Sequence, residues 1–240
     1  VAEEYAILDN ITGGRLIAGF VRGIGAEYHI TGANPAKSHE RFHEAHDLIL
    51  RAWTETGPFD HQGKHFQMQY VNLWPRPFQQ PHPEIWIPSQ GSRETIQWAA
   101  HPDRKYTYLQ TFSDVAVVKR FHNEVKQAAE DYGYEASPDQ LGWALPIYVA
   151  ETDEIARKEA AAHVEALFNK FLRMPTEMLL PPGYTSPESI KRLREIRRGT
   201  TSDKPPTVDD FIERGMFVCG SAETVRQTFE YHQKDIGFNV

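Results

Sequence analysis

Apolar residues in positions 1–12 recur at helical spacing, with Val1, Tyr5, Leu8 and Ile11 on one stripe. Gly13-Gly14 predicts the stop, because glycine takes the left-handed conformation that ends helices. Residues 16–21 are continuously apolar, which predicts a strand buried on both faces, as in a parallel sheet. Asn34-Pro35 can open the next helix as cap and first position. Its stripe is Phe42, Ala45, Leu48, Ile49, Ala52 and Trp53, and Gly57-Pro58 ends it.

From residue 59 the period changes. The stretch FDHQGKHFQMQYV alternates about Gly63 and predicts a hairpin, followed by the extended, proline-rich WPRPFQQPHP. Residues 59–83 therefore read as an insertion ahead of a strand at 84–87. A helix at 92–100, a strand at 105–111, a helix at 113–132, a strand at 141–150 and an alanine-rich helix at 153–172 complete the pattern. It lapses at 174–206, a second insertion with one basic helix at 190–198, and a further strand begins near Phe238. Strands alternating with helices predict βαβ units on a parallel sheet, and no repeat or low-complexity tract interrupts them.

Bulk properties narrow the partners. The 240 residues carry a formal net charge of -7, which argues against a nucleic acid or an anionic membrane. Hydrophobic residues make up 40% and charged residues 25%, the balance of a globular chain. No apolar run approaches the roughly 18 residues of a membrane span. The single cysteine, Cys219, excludes a disulfide framework and fits a reducing, cytoplasmic setting.

Two strand ends carry candidate chemistry. Arg22-Gly23 follows the first apolar strand, and Gln90-Gly91-Ser92 joins the 84–87 strand to a helix. Ser92 is a natural N-cap, and its hydroxyl, the following amides and Thr95 can converge on one spot. Helix N-termini favour anions, and Gly91 would let a ligand approach the backbone. Consecutive parallel strands open their C-terminal ends on one face, so Arg22 and the Gly91-Ser92 turn are candidates for a shared phosphate receptor. The competing reading pairs Arg22 with a carboxylate such as Glu27.

The segments LDNITGGRLIAGFVRG, ERFHEAHDLILRAWTETGPFDHQGKHF, VNLWPRPFQQPHPEIWIPSQGSRETIQWAA and GSAETV occur in that order. Together they resemble the bacterial luciferase-like flavin monooxygenase family, over nearly the whole chain. The resemblance implies a (β/α)8 TIM barrel, here partial, of about strands 4 to 8 in a single domain over 1–240. It implies reduced FMN, or in some branches the deazaflavin F420, bound at the strands' C-terminal ends. By that resemblance the flavin phosphate falls to Arg22, Gly23, Gly91, Ser92 and Thr95, with Gln90 beside them. It further implies O2 and a small organic substrate, a separate NAD(P)H-dependent flavin reductase, and a homodimer at full length. Residue 1 would lie in the third barrel helix, so the chain reads as a fragment that need not be active alone. The catalytic acid or base would sit in strands 1 to 3, and none is assigned. The alternatives left open are deazaflavin-dependent hydride transfer and a non-catalytic flavin-binding fragment.

The remaining constellations read as structure. His39, His43 and His46 share one helix side, but without an H-E-x-x-H pattern they predict a solvated face, and no metal is expected. Tyr28 and His29 fall in a predicted loop, within reach of a ligand but more simply loop packing. Tyr106, Tyr108 and Trp143 read as core, Cys219 as a small core residue, Ser221 as a helix cap, and the basic run at 191–198 as a solvated face.

Overall fold

The structure, a computed structural model, describes residues 1–198 and 204–240, with the backbone alone at 192–194 and 196–198. The solvated face expected at 191–198 therefore falls largely outside the described side chains. The elements begin with α1 (Ala2–Thr12), β1 (Ile17–Gly19), α2 (Gly25–Thr31), α3 (Ser38–Thr54), β2 (Phe59–Gln62), β3 (Gln67–Val71) and β4 (Glu84–Ser89). Then come α4 (Arg93–Ala99), β5 (Thr107–Thr111), α5 (Val115–Asp131), β6 (Leu141–Ala144), β7 (Ile147–Val149) and α6 (Asp153–Ala166). The last are α7 (Thr176–Leu179), α8 (Pro187–Arg198), α9 (Val208–Glu213), β8 (Val218–Gly220) and α10 (Ala222–Ile236). Two compact units result, Val1–Trp86 with Glu177–Thr185, and Ile87–Thr176 with Ser186–Val240.

In the first unit, β1 lies parallel to the first half of β4, with Ala18 opposite Ile85. Only Ala18 of β1 is buried, so the strand alternates between core and solvent and is not covered on both faces as predicted. A similar correction applies to α1. Leu8 and Ile11 of its predicted stripe are exposed, and the buried residues are Ala6 and Asp9. The Asp9 carboxylate accepts from Gln79 N at 2.8 Å and Gln79 Nε2 at 2.7 Å, and that amide also donates to Leu16 O. A buried carboxylate is tolerated when its oxygens are hydrogen-bonded, and this one ties the proline-rich stretch to α1. Asp9→Ala is expected to lower unfolding free energy by about 2 kcal/mol, because the Gln79 amides lose their acceptor. Urea melts check this, and a loss below about 0.5 kcal/mol would speak against the tie.

The predicted hairpin is present as the antiparallel pair β2–β3. Glu44 of α3 pins it, its carboxylate accepting the backbone N–H groups of His65 and Phe66. Leu48 and Ala52 pack with Phe59 beneath it.

In the second unit, residues 87–89 continue β4, and β5 runs parallel to β6 with Tyr108 opposite Leu141. The strand expected near Phe238 is not formed: after α10 the chain is irregular, though it runs beside β6, with Trp143 N donating to Val240 O at 2.9 Å. Val118, Phe121 and Val125 of α5 bury their side chains with Tyr108, Leu141, Trp143, Ile236 and Phe238. The single strand predicted at 141–150 is two, β6 and β7, broken around Pro146, which has no N–H to donate. Strand β7 instead pairs in parallel with β8. The long helix predicted to 172 ends its regular part at Ala166 and closes in a π-helical turn, Leu167–Phe171. No helix among the described residues is long and apolar enough to cross a membrane.

Candidate functional site

Beyond β1 the chain turns through Gly23, whose φ of +77° favours glycine. A Cβ there would lie 2.4 Å from Glu27 Oε2. Glu27 is thus packed over the turn, and its Oε2 accepts from Ile24 N at 2.6 Å. This caps α2, a helix not predicted, and moves Tyr28 and His29 from a loop onto that helix. One oxygen of the carboxylate weighed as the competing partner of Arg22 is thus bonded to the start of α2, and no ion pair joins Glu27 to Arg22 among the described residues.

Arg22 is half-buried. Its Nη1 donates to Ser38 Oγ at 3.0 Å and to Tyr184 O at 2.9 Å. The guanidinium lies 4.2 Å from the centroid of the Tyr184 ring, and the Tyr184 hydroxyl donates to Gly23 O at 2.6 Å. Burial pushes the Tyr184 phenol up, with Arg22 acting the other way, so the hydroxyl stays a donor. Tyr28 OH donates to Arg22 O at 2.5 Å. All these partners are neutral, and no carboxylate pairs with Arg22 among the described residues. Guanidinium has five N–H donors, and the edge formed by Nε and Nη2 has no partner among the described residues. A half-buried cation whose described partners are neutral oxygens and a ring face can take an anion with two oxygens.

The second candidate turn has a different character. Ser92 caps α4 as expected, its Oγ accepting from Thr95 N at 3.2 Å and lying 2.9 Å from Thr95 Oγ1. Glu94 Oε2, however, accepts from Ser92 Oγ at 3.2 Å and from Ser189 Oγ at 2.9 Å. Burial acts to raise the Glu94 carboxyl, yet bonds from Ser186, its own amide, Ser189 and Ser92 hold it below the usual range. The chain's own carboxylate thus supplies the negative charge that this helix start favours. Gly91 also has a second explanation. Its φ is +95°, and a Cβ would fall 2.0 Å from Phe121 Cζ, so packing against the core demands glycine there. Gln90 is exposed. Arg22 and Gly23 belong to the first unit, and Gln90, Gly91, Ser92 and Thr95 to the second.

Among the described residues no group of three metal-ligating side chains comes together. His46 is buried, packed edge-on against Phe20 and bonded to Asp47, which corrects the solvated-face reading at that position. Tyr106, Tyr108 and Trp143 are core as expected. Cys219 packs at the margin of the Phe211–Phe217 cluster, and burial pushes its thiol up. Ser221 caps α10, accepting from Thr224 N at 3.2 Å. Two residues of the Arg22 setting were missed by sequence reasoning, Ser38 and Tyr184. Neither sits in a motif, and the Tyr184 contact spans 162 positions.

Comparison with known proteins adds the family. The model of the luciferase-like monooxygenases matches residues 1–239. An uncharacterized protein of Sinorhizobium fredii, y4wF, is 28% identical over 240 residues, covering 99% of this chain and 63% of its own length. The oxygenating constituent of 3,6-diketocamphane monooxygenase from Pseudomonas putida, solved with FMN, superposes with a TM-score of 0.72. It is 19% identical, covering 99% of this chain and 66% of that one. An F420-dependent secondary alcohol dehydrogenase, solved with an F420–acetone adduct, gives 0.65 at 16% identity over the same shares. The chain therefore spans just under two thirds of the length of these relatives. It has the TIM-barrel-type α/β fold of that group, and it belongs to the luciferase-like monooxygenase family.

Proposed function

We propose that the protein to which this chain belongs is a flavin-dependent oxidoreductase that uses reduced FMN and O2 to oxygenate a small organic substrate. The observation that carries this reading is Arg22, a half-buried guanidinium whose Nε–Nη2 edge faces no carboxylate among the described residues. In a family of flavin enzymes, such a group fits the flavin phosphate. Gly23 accompanies it by allowing the tight turn. For Gln90, Gly91, Ser92 and Thr95 the same role rests on family resemblance, and Glu94 opposes it by placing a carboxylate against Ser92.

Bound flavin would supply the redox chemistry. The chain's own part is to hold the phosphate by charge-assisted bonds from Arg22 and to fix the cofactor's orientation. A separate NAD(P)H-dependent flavin reductase, a homodimeric full-length protein and a cytoplasmic setting are part of the same proposal. The single cysteine, Cys219, accords with the last.

A second reading is hydride transfer with the deazaflavin F420, supported by the likeness to the F420-dependent dehydrogenase. Equilibrium titration of the protein with FMN and with F420, oxidised and reduced, separates the two. Saturable binding of FMN in preference to F420 is expected. The reverse preference supports hydride transfer, and no saturable binding of either overturns both readings.

A further inference from the structure

The notable feature of Arg22 is how it is held. A free arginine side chain samples many rotamers, and ordering it on ligand binding lowers affinity. Here the ordering is done in advance. Ser38 Oγ and Tyr184 O both take hydrogen bonds from Nη1, and the Tyr184 ring covers a face of the guanidinium. Ser38 is itself buried, at 3% exposure, so its oxygen is a fixed acceptor. All of these contacts lie on the Nη1 side and the face, and the Nε–Nη2 edge has no partner among the described residues.

The segment carrying Tyr184 is fastened independently of Arg22. At Gly25 a Cβ would lie 2.4 Å from Met178 O, and at Gly183, φ +82°, a Cβ would lie 2.7 Å from Ala36 Cβ. Two glycines therefore permit close approach of this segment at two points, Met178 against Gly25 and Gly183 against Ala36. The Tyr184 hydroxyl adds a bond to Gly23 O, the residue next to the arginine.

We infer that Ser38 and Tyr184 are positioning residues that preorganise the Arg22 guanidinium, presenting its Nε–Nη2 edge to a phosphate monoester such as that of FMN. This rests on the phosphate role proposed for Arg22. Neither side chain needs to touch the ligand; each acts through the orientation of the arginine. Arg22 provides charge, Ser38 and the Tyr184 carbonyl provide direction, and the Tyr184 ring shields one face from water.

Affinities for FMN and for riboflavin, which lacks the phosphate, test this in the wild type and in Tyr184→Leu, Tyr184→Phe and Ser38→Ala. The wild type should bind FMN the more tightly. Tyr184→Leu should weaken FMN about 10-fold, the scale of a shielded cation–π contact, and leave riboflavin within about twofold. Tyr184→Phe keeps the ring and should restore most of the preference. Ser38→Ala should weaken FMN by about 3- to 10-fold, the range of a hydrogen bond, again without affecting riboflavin. A purely structural role would shift both ligands together. Wild-type protein that does not distinguish FMN from riboflavin overturns the phosphate role and this inference with it. A wild-type preference that survives unchanged in Tyr184→Leu and Ser38→Ala overturns the inference alone. If Tyr184→Leu does not fold, Ser38→Ala decides by the same criterion.

Discussion

Gly91→Ala is expected to destabilise the protein by about 4 kcal/mol, the sum of backbone strain and an overfilled core. At φ +95° an L-residue is strained whatever the space around it. The space is also absent, because the new methyl would overlap the ring of the fully buried Phe121 at 2.0 Å. Gly13→Ala is the internal control. Gly13 has a positive φ of +63° but nothing within 4 Å of its Cβ position, so only the backbone term of about 1 kcal/mol applies. Denaturant melts of the two variants separate the contributions. Trimming the ring in Gly91→Ala/Phe121→Leu should recover part of the loss relative to Phe121→Leu alone. Equal costs at Gly91 and Gly13 would mean that Phe121 does not enforce the glycine.

Stability should also fall by about 3 kcal/mol between pH 6.5 and pH 4 on account of His122 alone. This ring on α5 is fully buried, and Nε2 lies 3.0 Å from Gly142 O, to which it donates. Its Nδ1 is buried without a partner among the described residues. Phe238 meets the ring edge-on, and Lys126 adds an unfavourable positive charge. Burial chiefly, and then Lys126, push the folded-state value down from 6.5 to about 4, with the Gly142 bond acting the other way. The unfolded chain therefore takes up the proton first. The stability that comes from keeping the ring neutral is complete above about pH 6.5 and drains away as the pH falls toward 4. Because carboxylates also titrate at the acid end of this window, the informative quantity is the difference between wild type and His122→Leu across pH. The gap at pH 7 should shrink by about 3 kcal/mol by pH 4. Parallel pH profiles would show that the ring is not held neutral by the fold.

These positions also mark how far local sequence information reaches. The Ser92 cap was legible because its acceptor and the Thr95 amide lie three residues apart, within one turn. The β2–β3 hairpin was legible for a similar reason, alternation about a glycine over a short span. Asp9 was not, since an acidic residue on a helix reads as solvated, and its partner Gln79 lies 70 positions away. Helix α2 starts at Ile24, which has no capping side chain. The available signal was Glu27 at its third position, reaching back to the Ile24 amide.

Arg22 and Gly91 show the two ways a site residue can be read. Arg22 was singled out for its place after an apolar strand, and its partners among the described residues are neutral oxygens and an aromatic face, which is the basis of the proposed phosphate role. Its contacts with Ser38 and Tyr184 come from tertiary structure and leave no local trace. Gly91 was singled out as a place where a ligand could approach the backbone; the position does need glycine, but a sufficient cause is Phe121, on a helix some thirty residues further along. A glycine requirement alone does not distinguish a ligand from a packed ring.

The most direct test of the phosphate role is the affinity of Arg22→Ala for FMN and riboflavin, measured beside the wild type at one fixed ionic strength. Loss of the guanidinium should weaken FMN by about 2–3 kcal/mol, roughly 30- to 150-fold, the worth of charge-assisted bonds to a phosphate. Riboflavin, with no phosphate to lose, should change by less than about twofold. Equal weakening of both ligands, or no weakening of either, would contradict the assignment of Arg22 to the flavin phosphate.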